Sequence, residues 1–191
     1  MNTKKKLIAL LAIATLVSIV NASVFVYYPI NITITPQNPP IVFVEGDNAD
    51  QRDLWGNTIT VNIGDSGTSL AIEVHPTLQR NYYYDIARIK NNDISNTYYI
   101  KFRVTNYIDD DRVTKAYLII SDPGTQYQKI VDLMDENLQP NEWISLGASG
   151  ELRVDLYIVL SGYDGSSSIS VGVDLIYSAT STTETPPTPL T

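Results

Sequence analysis

The sequence predicts an all-β fold, an antiparallel sandwich, on three observations. Beyond residue 23 the hydrophobic period is two in run after run, the signature of strands with one wet and one dry face. Turn-forming clusters, Asp122-Pro123-Gly124, Gly147-Ala148-Ser149-Gly150 and Gly162-Tyr163-Asp164-Gly165, separate the runs. The alternation of strand and helix that builds a doubly wound sheet is missing from the pattern.

Taken in order, the chain opens with Lys4-Lys5-Lys6, the apolar run Leu7 to Val20, and Val20-Asn21-Ala22 before Ser23. A charged start, an apolar stretch short of a membrane span and a small residue at the end read as a secretory leader cut after Ala22, residues 1–22. Two other readings stay open: a retained anchor, and a type IV pilin leader cut just after the lysines.

Residues 23–40 come next. Val24, Val26, Tyr28, Ile30, Ile32 and Ile34 alternate without a break with Ser23, Phe25, Tyr27, Pro29, Asn31, Thr33 and Thr35. Pro36-Gln37-Asn38-Pro39-Pro40 follows, a stiff extended arm that does not turn back as a tight hairpin. A strongly apolar strand on such an arm either pairs within its own domain or enters another copy of the chain. In the second case it acts as a donor strand, backbone bonds supplying affinity and alternate side chains filling pockets.

The sandwich is expected over residues 41–177. Ile59, Val61 and Ile63 and, after Gly64-Asp65-Ser66-Gly67, Leu70, Ile72 and Val74 form the dry faces of a hairpin. Tyr98, Ile100, Phe102 and Val104 mark a clear strand, as do Leu152, Val154, Leu156, Ile158 and Leu160. A last strand puts Ile169, Val171, Val173, Leu175 and Tyr177 on one face. Weaker strands are Ile41 to Val44, Tyr83 to Lys90, Val113 to Ile120 and Glu142 to Leu146, while Gln128 to Glu136 reads as strand or short helical turn. Residues 178–191 have the Thr/Pro composition of a disordered, O-glycosylated tail.

Composition narrows the function. The 191 residues fit one or at most two domains. With no cysteine, disulfides, thiol nucleophiles and Cys-type zinc sites are excluded, and with His75 as the single histidine, multi-histidine centres go too. A net charge of −8 offers no basic surface for phosphate, so nucleic acid is not an expected partner. Loss of the leader would make the chain more acidic still, and soluble.

At this point the chain resembles the secreted filament subunits of archaea called threads or bundling pili, related in fold to the bacterial biofilm-matrix protein TasA and to camelysin. The resemblance is carried by the leader followed at once by a strand, by Pro29-Ile30-Asn31-Ile32-Thr33-Ile34-Thr35-Pro36-Gln37-Asn38-Pro39-Pro40-Ile41-Val42-Phe43, and by Asn81-Tyr82-Tyr83-Tyr84-Asp85-Ile86-Ala87-Arg88-Ile89-Lys90-Asn91. Leu138-Gln139-Pro140-Asn141-Glu142-Trp143-Ile144-Ser145-Leu146 and the strand after it are similar to that family's late turn and strand pair. The resemblance implies a jelly-roll-like sandwich, no catalysis, no cofactor, and head-to-tail polymerisation of identical subunits through Val24, Val26, Tyr28, Ile30, Ile32 and Ile34.

Other chemistry is weaker. Asp109-Asp110-Asp111 offers carboxylates to Ca²⁺ but lacks the spacing of a known calcium loop, and a solvated turn is the preferred reading. Glu73, Glu142, Asp155 and Asp174 are scattered acids that no motif brings together as a hydrolytic pair. His75 falls on the outward parity of its strand and reads as solvated. Tyr82-Tyr83-Tyr84 and Tyr98-Tyr99 suit cross-strand packing better than a carbohydrate platform. Asn31-Ile32-Thr33 is an acceptor sequon for N-linked glycan, on the outward parity of the donor segment. Two classes of function are therefore expected: an extracellular filament subunit serving adhesion, cell contact or biofilm, without a stable membrane anchor after cleavage, and a monomeric secreted module binding glycans or envelope partners.

Overall fold

A computed structural model of the chain describes residues 2–20, 28–135, 142–162 and 168–181, apart from the side chains of 14–20 and of 55. Val24, Val26, the turn residues 163–167 and residues 182–191 of the Thr/Pro-rich segment lie outside the described residues. The chain divides into two compact units, Met1–Gln37 and Asn38–Thr191.

In the first unit, helix α1 spans Thr3–Val20. No helix among the described residues is long and apolar enough to cross a membrane. Residues 28–39 form neither helix nor strand.

The second unit is an all-β antiparallel sandwich. Its strands are β1 Ile41–Glu45, β2 Thr60–Ile63, β3 Leu70–Glu73, β4 Gln79–Asn91, β5 Tyr98–Asn106, β6 Val113–Ser121, β7 Gln128–Asp132, β8 Ile144–Leu146, β9 Glu151–Leu160 and β10 Gly172–Ser178. They form a five-stranded sheet β1-β4-β9-β6-β7, a three-stranded sheet β10-β5-β8, and the hairpin β2-β3. Apart from the hairpins β2-β3 and β6-β7, consecutive strands lie in different sheets, and alternation along each strand delivers one face to a shared core. Ile89, Ile120 and Val154 from the large sheet meet Ile100 and Phe102 from the small one. A second cluster, Ala49, Ile59, Val61, Tyr83 and Ile86, sits under the hairpin, with Leu70, Ile72 and Leu156 packed against both clusters.

The expected strands are present with altered ends. β4 begins earlier than its Tyr83 to Lys90 core, and a bulge lies between Tyr83 and Ala87 in its pairing with β9. Asp85 adopts φ 48° there, a conformation Asp tolerates better than most residues. The segment left between strand and turn resolves into β7 followed by a turn at 133–134. The last strand starts only at Gly172, opposite Asn106 at the end of β5, so Ile169 and Val171 have no partner strand among the described residues.

Candidate functional site: an open groove beside β10

β10 bonds to β5 along one edge and, among the described residues, to no strand along the other. Every second N–H and C=O on the outer edge is thus open, the condition that invites another strand. On its inner face, Val173, Leu175 and Tyr177 line a groove of about 760 Å³ that enters the sandwich. The floor is Ile41 and Phe43 of β1, Leu118 of β6, and Val154 and Leu156 of β9. Leu70 and Ile72 of β3 form the opposite wall. The cavity exists because the layer facing the large sheet is interrupted: β2-β3 covers one part, β10-β5-β8 the other, and no described strand joins them.

The lining is mainly apolar, with Thr68 and Ser69 as uncharged polar members. Its charged members, Arg103 and Asp174, stand directly opposite each other on β5 and β10 and pair at 2.5 Å. An occupant therefore meets no unpaired charge from the lining. Phe43, Leu70, Ile72, Leu118, Leu156, Val173 and Leu175 remain only partly buried against the core, so an apolar occupant would extend it.

Of the six expected donor residues, Tyr28, Ile30, Ile32 and Ile34 fall on described backbone and are 79–84% exposed. Four large apolar side chains on alternate positions in water are costly unless something covers them. Segment 23–35 carries no charged residue and so brings no charge to a lining whose own two charges are paired. Asn31 is exposed as well.

The remaining singled-out residues have local partners. Asp110 receives Arg112 through Nε at 2.8 Å and Nη2 at 2.5 Å, which pulls its carboxyl down to about 2, while Asp109 and Asp111 are exposed. No group of three or more His, Asp or Glu side chains among the described residues is placed to hold a metal ion. Glu142 pairs with Lys129, Asp155 with Arg153 and Asp174 with Arg103, so these acids serve separate contacts on separate elements. Glu73 lies 3.8 Å from His75 Nε2.

His75 is less open than its parity suggested. Its Nδ1 is buried 3.5 Å from Asp53 Oδ2, and that carboxylate, 3% exposed, accepts the N–H groups of His75 and Leu54. The cause is the loop before β2, which folds Asp53 over the strand's outward side; alternation within one strand carries no signal of it. The tyrosines pack on one another: Tyr98 meets Tyr177 edge-on at 6.2 Å, Tyr82 and Tyr84 are 6.4 Å apart, and Tyr117 stacks on Tyr157 at 6.0 Å.

The sequence matches no protein-family model and no curated protein.

Proposed function

We propose that the protein is the structural subunit of an extracellular filament, in which segment 23–35 of one copy enters the groove beside β10 of the next. The observation that carries this reading is that one chain offers two complementary unfinished surfaces. These are a mainly apolar groove with an open strand edge, whose two charges pair with each other, and an uncharged segment with exposed apolar side chains at Tyr28, Ile30, Ile32 and Ile34. Because donor and groove differ, the contact is heterologous, and repetition gives an open chain of subunits instead of a closed dimer.

Burying Tyr28, Ile30, Ile32 and Ile34 at roughly 1.5–3 kcal/mol each amounts to about 6–12 kcal/mol, an upper bound before ordering of the arm. The role is mechanical: no catalysis and no cofactor enter it. The resemblance to thread and bundling-pilus subunits points the same way, as do the leader-like start and the sequon for a surface polymer.

The test is parity. Ile32→Asp puts a carboxylate where an apolar side chain is buried and should abolish filaments seen by electron microscopy of the purified chain. Thr33→Asp, on the opposite face, should leave them intact, with Asn31→Gln as control for the lost sequon. Equal defects from both aspartates, without glycan, would end the donor-strand reading. A monomeric module binding a small glycan in the same groove predicts instead that neither change alters the oligomeric state.

A further inference from the structure

The hairpin β2-β3 stands beside the groove as a separate two-stranded sheet, and its own hydrogen-bonding phase gives it a second role. Gly64 N–H donates to Ser69 C=O at 3.0 Å at the hairpin's end. Counting inward along the register, Asn62–Ala71 and Thr60–Glu73 are the hydrogen-bonded pairs, and Ile63–Leu70 and Val61–Ile72 the non-bonded ones. The N–H and C=O of Leu70 and Ile72 therefore point away from β2, toward the open edge. Neither residue has a backbone partner on that side among the described residues. The same two residues send their side chains into the groove.

We propose that β3 is a second hydrogen-bonding wall for the incoming strand. The donor would be inserted between β3 and β10, fusing the hairpin and the three-stranded sheet into a six-stranded layer ordered β2-β3-donor-β10-β5-β8. This rests on the donor-strand reading and adds the partner of the donor's other edge. A strand added to β10 alone keeps one edge open inside the subunit, whereas a strand held on both edges has its backbone groups paired throughout. The uncharged donor suits both walls, since Leu70 and Ile72 share the groove mainly with apolar side chains and its two charges, Arg103 and Asp174, pair with each other.

The chain has no cysteine, so engineered pairs report strand adjacency without background. On the outward faces, Ala71→Cys marks β3 and Ile176→Cys marks β10. Each is combined in one full-length chain with Asn31→Cys, Thr33→Cys or Thr35→Cys, a scan that covers the register. Ala71 is in a hydrogen-bonded pair with Asn62, which places it at a non-bonded position toward the donor. There the Cα separation of about 4.5 Å suits a disulfide. Filaments are oxidised and run without reductant.

The expected result is a covalent ladder beyond dimer for at least one Ala71 combination and at least one Ile176 combination, with single-cysteine chains giving dimers at most. A ladder with Ile176 but with no Ala71 combination would overturn the second wall while leaving the donor strand in the groove. Filaments that ladder with neither would overturn both. A ladder with Ala71 alone would keep β3 as a wall and remove β10.

Discussion

Asp155 Oδ1 accepts the Asp85 N–H at 2.7 Å across the bulge where β4 leaves register with β9. The other oxygen takes the Tyr82 hydroxyl at 2.7 Å, and Arg153 reaches the carboxylate through Nε at 2.9 Å. Burial, together with the Asp155 bond, pushes the Tyr82 hydroxyl up to about 12. Asp155 is 0% exposed although it lies on the outward parity of β9, because these neighbours close over it.

Asp155→Ala should therefore be among the most damaging single changes on the outer face. It leaves the Arg153 charge and the Asp85 N–H without their partner, a loss of about 3–5 kcal/mol for a broken buried pair. Urea unfolding followed by circular dichroism measures it. A loss below about 1 kcal/mol, the ordinary value for a surface ion pair, would mean the bulge is held by packing alone.

Acid stability should depend on Asp85. Bonds from Arg88, at 2.6 and 2.8 Å, hold its carboxyl below the usual range, outweighing its burial. A lowered folded pKa gives stability that is complete above the unfolded carboxylate value of about 3.9 and is lost as pH falls through the folded value. Asp85→Asn should lower the urea midpoint at neutral pH and flatten its decline below about pH 4. Parallel acid limbs for the two proteins would rule out Asp85 as the source.

Much of this fold is legible in the sequence because strand alternation is local. The faces of β5, β9 and the hairpin follow from period two, and Ile100, Phe102, Val154, Val61 and Ile59 are buried as that period requires. The bulge at Asp85 was not legible. Tyr82-Tyr83-Tyr84-Asp85-Ile86-Ala87 reads as unbroken strand, yet the pairing with β9 shifts register between Tyr83 and Ala87, and Ile86 and Ala87 are both buried. The groove was legible from one side only. The alternation in segment 23–35 announces an apolar surface in need of a partner, but a gap between β3 and β10 is a property of strand order, set by contacts far apart in sequence.

Two glycines, Gly67 at the groove's rim and Gly56 in the loop before β2, separate backbone strain from crowding. Gly56 and Gly67 both have positive φ, 81° and 71°. A Cβ at Gly56 would meet nothing within 4 Å, while at Gly67 it would approach Val42 Cβ to 2.8 Å and Phe43 O to 3.1 Å. Gly56→Ala should cost about 1–2 kcal/mol for the left-handed backbone, and Gly67→Ala that amount plus roughly 1–3 kcal/mol for overpacking against β1. Equal losses would show that β1 yields without cost.

If donor and groove are separate halves of one contact, each can be disabled alone. Ile32→Asp leaves a subunit that accepts but does not donate. Leu175→Asp, on the groove face of β10, leaves one that donates but does not accept. Neither variant should polymerise by itself. Mixed in equal amounts they should give a heterodimer and nothing longer, since the dimer's remaining donor and remaining groove are both the disabled ones. Added at a few per cent to wild type, each should shorten filaments by capping one end: Ile32→Asp the end with a free donor, Leu175→Asp the end with a free groove. Both together should shorten them further, because the two ends are independent. Size-exclusion chromatography with light scattering reads the dimer, and length distributions from electron microscopy read the capping. Long filaments from the equal mixture would mean that the segment and the groove are not the two sides of the same joint.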